Sequence, residues 1–242
     1  MNNRPTVTLL IPALNEIDGL KVFMPKIDRS WVDQILIVDG DSRDGTVEYA
    51  KENGYEVLVQ KKKGLRWAYN EGFEHVRSEY VITFSPDGNC IPEFIPNLIE
   101  KMNEGTWNMV IASRFMPPAK SDDDDIITAF GNKVFTALCN LLHGHRYHDC
   151  LNMFRIYKTS LFYDLGIDKD DAFWMEKPCL TVMGVEPLIS MRAAKMKLKI
   201  TEIPCDEPER LHGVRKLQII RWGIAYLTQM FFEALSTKYR AK

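Results

Sequence analysis

YVITFSPDGNCIPE, residues 80–93, opens as an apolar β-type run at 80–84 and ends on a cluster of oxygen donors, Asp87 and Asn89. An α/β sheet presents its chemistry at the carboxyl ends of its strands, so a strand that delivers a carboxylate and an amide oxygen has the form of half a metal site. Mg2+ and Mn2+ take such hard oxygens, keep several waters and are completed by substrate phosphates. PDGN is equally a good β-turn sequence, with Asp, Gly and Asn in favoured places, and the stretch alone does not choose between turn and half-site.

Working outward, the same strand-then-polar-tip pattern recurs. The β-branched and leucine run at 6–11 breaks at Pro12, and a helix is expected at 15–26. A second strand at 34–38 runs into DGDSRDGT, residues 39–46, with helix at 44–53. Carboxylates crowded at a strand tip are costly unless they bind donors or cations or sit in water. Asp44, just before Gly45, reads as a helix N-cap or turn residue. Asp39 is then the ligand-binding acid of the second strand. Strand 55–59, helix 64–76, strand 80–84, helix 92–103 and strand 108–112 complete a doubly wound, mostly parallel α/β order. No GxGxxG follows the first strand, which speaks against a dinucleotide oxidoreductase.

Composition fits one enzyme-sized domain: 242 residues, 45% hydrophobic, with material for a substantial core. Basic and acidic residues nearly balance, 31 against 33, so bulk charge gives no reason to expect a nucleic-acid partner. The five cysteines are odd in number and contain no CxxC pair, which argues for reduced thiols rather than a disulfide framework. No signal-peptide core or spanning apolar run is legible, and a cytoplasmic protein is expected.

The second half changes character. Residues 116–126, with two prolines and the run Asp122, Asp123, Asp124, Asp125, read as a mobile surface loop carrying a solvated charge run. FGNKVFTALCNLL, 130–142, has helical apolar spacing. His143, His145 and His148 make a loose HxH pattern that fits a turn better than a metal site. Glu186 stands at the start of a helix that leads into a strand ending near Pro204. There it serves either the helix dipole or the chemistry. The stretch 216–239 is rich in aromatic and aliphatic residues but is interrupted by Arg221, Gln229 and Glu233, so it cannot comfortably span a bilayer. It suits packing on the domain, on a second subunit as a homodimer, or at a membrane interface.

PALNE (12–16), VDGDSRDGT (38–46), KGLRWAYNEGF (63–73) and PDGN (86–89), in that order and spacing, resemble the inverting family 2 glycosyltransferases of GT-A fold. The branch they resemble is that of the polyprenyl-phosphate, dolichol-phosphate mannose type sugar transferases. Further similarity runs through DCLNMFRIY (149–157) to PERLHGVRKL (208–217). The resemblance implies a GT-A domain at 1–215, with a nucleotide-sugar half at 1–115 and an acceptor-side half at 116–215, followed by an amphipathic helix at 216–242. It implies a UDP- or GDP-linked sugar donor held by Pro12, Ala13, Asn15, Glu16, Asp39, Asp41, Lys63, Gly64, Arg114, Arg210 and Lys216. Mg2+ or Mn2+ would sit on Asp87 and Asn89 as a Lewis acid for the leaving diphosphate. Arg215 would add a further phosphate donor.

The acceptor implied is a polyprenyl phosphate at the membrane surface, which would make the protein peripheral on the inner face. An ionised phosphate acceptor needs steering, assigned to Arg114 and Arg155, more than proton removal. A sugar hydroxyl needs a carboxylate base, with Glu186 the first candidate and Glu176 the second. The catalytic set is therefore Asp87, Glu186 and Arg155. Three positions depart from the family pattern: Ser85 replaces an Asp of the metal site, and Asn152 and Met153 replace Ser and Gly of the acceptor motif. These departures leave open a sugar-nucleotide-binding protein that has lost turnover. A sugar-1-phosphate nucleotidyltransferase would need a glycine-rich loop where PALNE stands.

Overall fold

The computed structural model of the chain describes residues 4–211 and 219–241. In chain order the elements are β1 (Val7–Ala13), α1 (Ile17–Phe23), β2 (Gln34–Asp39), α2 (Thr46–Glu52), β3 (Glu56–Val59), α3 (Leu65–Phe73), β4 (Tyr80–Thr83), α4 (Ile95–Asn103) and β5 (Met109–Ser113). There follow α5 (Ile126–His143), β6 (Arg155–Lys158), α6 (Ser160–Asp164), α7 (Glu176–Cys179), α8 (Glu186–Lys195), β7 (Ile200–Pro204) and α9 (Ile219–Leu235). The strands form one sheet in the order β3-β2-β1-β4-β6-β5-β7, parallel throughout except for β6, which runs antiparallel to both neighbours.

Helices cover both faces of the sheet, so its central strands are apolar on both sides. Alternate residues of each strand feed different cores. Leu10, Leu36, Val38, Val81 and Ile111 pack with α3, α6 and α8, whereas Leu9, Ile11, Ile37, Ile82 and Val110 pack with α1 and α4. The β6 residue Ile156 is paired with Ile82 on one side and Val110 on the other, locking the inserted strand into the second core.

Two expectations change here. Strand β1 does not stop at Pro12 but continues to Ala13, in register with Asp39 of β2. Even-numbered residues of β1 bond toward β4, as Thr6 and Leu10 accept from Tyr80 and Phe84, and β4 has ended before Pro12 is reached. The missing N–H therefore faces a position with no strand partner and costs nothing. Strand β6 was not read from the sequence at all, because four residues containing a buried arginine show neither the length nor the alternation of a strand.

Strand β6 matters for placement. Because it is antiparallel, its leading segment 149–154 lies at the sheet edge where the carboxyl ends of β1, β2, β4 and β5 also lie. At that edge α5 begins four residues earlier than the apolar spacing suggested. Asp125 caps it by accepting from Thr128 N at 2.8 Å, and Gly144 closes it in the left-handed conformation.

Helix α9 packs one face inward, burying Ala225, Gln229, Met230 and Glu233, and exposes Ile224, Phe231, Phe232 and Leu235. Arg192 of α8 clamps Glu233 through Nε at 3.0 Å and Nη2 at 2.7 Å, an interior ion pair that fixes the helix on the domain. Among the described residues no helix is long and apolar enough to cross a membrane.

Candidate active site

Two groups of the expected residues assemble along the carboxyl edge. The first lies at the tips of β1 and β2. Asp39 is fully buried; its Oδ1 accepts from the backbone N of Asp41 at 3.0 Å and of Ser42 at 2.9 Å. Its Oδ2 is buried and has no hydrogen-bond partner among the described residues. A buried carboxylate oxygen in that state is an acceptor waiting for a donor. Asn15 and Asp41 both adopt positive φ, 54° and 73°, and bend the two loops toward each other. The loops are tied by Asn15 N to Ser42 Oγ at 2.8 Å and by Arg43 N to Asn15 Oδ1 at 2.9 Å.

Asp44 serves structure, as expected of a turn residue. It accepts from Thr46 N at 3.0 Å, Thr46 Oγ1 at 2.6 Å and Ile17 N at 3.1 Å. Burial pushes its carboxyl up, but these bonds outweigh burial and hold it below the usual carboxylate range. The backbone N of Glu16 is anchored on Thr46 Oγ1. Lys63 is exposed beside Gly64, whose φ of 111° and close approach to Val182 leave no room for a side chain.

The second group lines a cavity of about 550 Å³ between the β4 tip, α5, α8 and α9. Its polar end holds Ser85, Asp87, Asn89, Arg114, Glu207 and Arg210; its other wall is apolar, with Leu65, Phe130, Phe135, Trp222 and Leu227. Asp87 Oδ2 pairs with Arg210 at 3.1 Å. The segment carrying Arg210 lies directly on the turn at Gly88, with Leu211 N donating to Asp87 O at 3.1 Å. Asn89 Nδ2 donates to Asp123 Oδ2 at 2.9 Å and Glu207 Oε1 at 3.2 Å, while its Oδ1 is buried and unpartnered among the described residues. A carboxylate beside an amide oxygen turned away from its donors suits a hard divalent cation completed by phosphate and water. Among the described residues no cluster of three or more His, Cys, Asp or Glu is placed to hold a metal alone.

Glu186 lines the same cavity at the start of α8, and Tyr69 of α3 donates to its Oε1 at 2.5 Å. Burial, with the neighbouring Glu186 carboxylate, pushes the Tyr69 phenol far up, so Tyr69 stays a donor at any working pH. Tyr226 of α9 reaches the same spot and accepts from Gly184 N at 2.8 Å.

Other expected residues lie elsewhere. Arg155 is fully buried beneath the cavity wall, with Nε on Asn152 O at 2.7 Å, Nη1 on Ser190 Oγ at 3.0 Å and Nη2 on Cys150 O at 3.3 Å. It holds the 149–154 segment together and has no donor left to steer an acceptor, which corrects its assignment. Glu176 is spent on Arg66, through Nε at 3.0 Å and Nη2 at 2.8 Å, and on Met183 N, and does not line the cavity. Arg114 does line it, but its guanidinium is committed to Asp149 at 2.6 and 3.0 Å and to Glu207 at 3.2 Å. Burial pushes the Asp149 carboxyl up, and the Arg114 charge more than reverses this. Arg215 and Lys216 lie outside the described residues.

The aspartate run is solvated only in part: Asp122 and Asp125 are exposed, but Asp123 receives Asn89 and the backbone N of Arg210, Asp124 receives Asn132, and Asp125 caps α5. Its backbone is tied to Glu207, which accepts from Asp122 N at 2.8 Å and donates to Lys120 O at 2.9 Å. Glu207 and Tyr69, which touch Asn89 and Glu186, were not among the expected residues. Glu207 carried one signal, an acid set directly before the basic loop; Tyr69 carried another, its place in KGLRWAYNEGF. The histidines go separate ways: His148 Nδ1 meets Glu202 at 3.0 Å, His145 packs at a tilt against Tyr147, and His143 is buried at the end of α5.

Comparison with known proteins agrees with this architecture. A glucosyl-3-phosphoglycerate synthase from Mycobacterium tuberculosis, crystallised with Mn2+, UDP and phosphoglyceric acid, superposes with a TM-score of 0.69 over 96% of this chain and 79% of its own, at 16% identity. At that identity the likeness is one of GT-A fold. Glycosyltransferase AglJ of Haloferax volcanii is 26% identical over 201 residues, covering 82% of this chain and 61% of its own length. The dolichol-phosphate mannosyltransferase of Pyrococcus furiosus is 33% identical over 125 residues, 48% of this chain and 35% of its own. The chain thus spans less than two thirds of the length of these curated relatives. The profile of Glycosyl transferase family 2 matches residues 8–166, from the first strand through Asp39, Asp87 and Asn89 to β6, and the chain belongs to that family.

Proposed function

We propose that the protein transfers a sugar, with inversion, from a nucleotide diphosphate sugar to an amphiphilic acceptor of the polyprenyl phosphate kind, with Mg2+ or Mn2+ as cofactor. The observation that carries this reading is the division of the cavity into a charged end at Asp87, Asn89 and Arg210 and an apolar wall built by α5 and α9. Ile127 and Phe130 belong to that wall and are also exposed, so the wall continues onto the surface. An apolar chain would leave the cavity along that route, and with Ile126 it would meet a membrane peripherally.

The nucleotide would lie over the tips of β1 and β2, with Asp39 Oδ2 accepting from base or ribose. Asp87 and Asn89 Oδ1 would hold the cation, which supplies Lewis-acid stabilisation of the leaving diphosphate. Arg210, now on Asp87, would turn to the same phosphates and neutralise them as the bond to the sugar breaks. Glu186, oriented by Tyr69, would take the proton from a hydroxyl acceptor; a phosphate acceptor would not need it.

A thermal-shift titration with UDP and GDP, each with and without Mn2+, tests the donor site, since specific binding raises the melting point by mass action. A shift with one nucleotide only in the presence of metal is expected. No shift under any condition would remove the donor assignment and leave a non-enzymatic protein. Transfer to polyprenyl phosphate and to a soluble glycoside, compared in wild type and Glu186→Gln, then separates the acceptor classes. Loss with the glycoside alone assigns Glu186 as base, and equal rates throughout take it out of the mechanism.

A further inference from the structure

Helix α5 connects two cavities. Its N-terminal part, from Ile127 to Phe135, lines the large one, and at its last residue His143 lines a smaller cavity of about 250 Å³. That cavity also takes in the turn after α8 and the segment after α9. Among the described residues its wall carries three cationic side chains, Lys195, Lys197 and Arg240, and no acidic one.

Their charges are only partly answered. Glu233 lies behind the wall, but its Oε1 is taken by Arg192 at 2.7 Å and by Gln229 at 3.3 Å, and its Oε2 stands 3.6 Å from Lys195. Arg240 donates to a neutral acceptor, the carbonyl of Ala234, at 3.1 Å. His143 is 7% exposed, and neither Nδ1 nor Nε2 has a hydrogen-bond partner among the described residues. A neutral imidazole always carries one N–H, so a buried donor faces this cavity with nothing to receive it. The surplus of positive charge shows in the titration of its neighbours. Burial, and then the charge of Lys195, press His143 down to about 4, while burial and the charges of Arg240 and Arg192 lower Lys195 against the pull of Glu233.

Three cations and an idle N–H exclude a metal here, and the other members of the HxH pattern are engaged with Tyr147 and Glu202. We propose that this cavity is a second, non-catalytic site that binds a phosphate group or similar small oxyanion, with Lys197 and Arg240 as counter-charges and the His143 ring N–H as a directional donor. Phosphate matches the set because it offers several acceptor oxygens to donors that come from three separate elements.

The test uses the full chain, labelled in its histidine rings, in a phosphate-free buffer. There are five histidines, and His143 is assigned by the signal lost in His143→Leu. Adding inorganic phosphate should move the His143 ring signal saturably. The Lys197→Ala/Arg240→Ala variant, changed at two exposed positions, should bind at least about tenfold more weakly, while Arg210→Ala should leave the titration unchanged. Vesicles containing phosphatidic acid form a second arm. A His143 response to them without one to inorganic phosphate would assign the phosphate to a lipid headgroup at this same site. No movement of His143 with either source, or equal binding by wild type and the double variant, overturns the proposal.

Discussion

Acidification should destabilise the protein through His143 well before any carboxylate is reached. In the folded chain the ring is held neutral; burial, and then Lys195, press it down to about 4, with Glu233 pulling the other way. The unfolded imidazole titrates near 6.5. Above that value both states are neutral and stability does not depend on this group. Between about 6.5 and about 4 the unfolded chain binds a proton that the folded chain refuses, so stability falls with pH across that window and levels off below it. At ~1.36 kcal/mol per pH unit, the loss at pH 5 is about 2 kcal/mol, rising to about 3 kcal/mol near pH 4. Urea denaturation at pH 7.5 and pH ~5, in phosphate-free buffer, for wild type and His143→Leu measures it. The variant keeps an apolar side chain of similar size and has nothing to titrate. His145, which burial also lowers, and the buried carboxylates affect both proteins alike. Wild type should therefore lose about 2 kcal/mol more than the variant. Equal losses would mean that His143 is not buried as a neutral ring, and the reading of the small cavity would fall with it. Repeating the comparison in phosphate should shrink the difference, because an anion in the cavity favours the protonated ring.

Three further outcomes are expected. Gly88→Ala puts a methyl group 2.9 Å from Leu211 N at a φ of 110°, so the Arg210 segment must lift; a cost of ~1–3 kcal/mol and a smaller metal-dependent shift with nucleotide should be seen by thermal denaturation. Ser85→Asp restores a carboxylate beside Asp87 and should lower the Mn2+ concentration for half-maximal nucleotide binding by about tenfold, and an unchanged requirement would place Ser85 outside the cation's reach. Asp149→Asn leaves the Arg114 guanidinium short of its main counter-charge in the interior, and chemical denaturation should show a loss of ~3–5 kcal/mol.

What the sequence made legible follows the range of the interactions. Strands β1 to β5 and the helices between them announce themselves by local pattern, because each buries a run of apolar residues against the same sheet. Asp39 and Asp87 were readable because a polar residue ending an apolar strand has one place to be in a parallel sheet. Arg155 was misjudged for the opposite reason. Its role depends on carbonyls at Cys150 and Asn152 and on Ser190 in another helix, and nothing in the local spacing of FRIY tells a buried arginine from a ligand-binding one. The aspartate run failed in the same way. Four adjacent acids read as solvated because the partners of Asp123 and Asp124, which are Asn89, the backbone of Arg210 and Asn132, lie from 8 to 87 residues away in the chain.

Those long-range contacts also explain how Asn89 acquires an orientation that a primary sequence cannot express. An amide has two ends, and which end faces a ligand is set by its neighbours. Asp149 holds Arg114, Arg114 holds Glu207, and Glu207 together with Asp123 takes both Asn89 contacts on Nδ2. The arginine expected to grip phosphate is thus a pillar two contacts back, and its effect is to leave Oδ1 as the end turned away from protein donors. Among the described residues the carboxylates of Asp123 and Glu207 are committed to the amide, and Asp87 at the β4 tip is paired with Arg210. A cation entering there must compete with Arg210 for Asp87, and the phosphates of a sugar nucleotide are what could draw Arg210 away. Metal and nucleotide binding should therefore be mutually dependent in this chain, and more strongly so than in a site with a second aspartate at the position of Ser85.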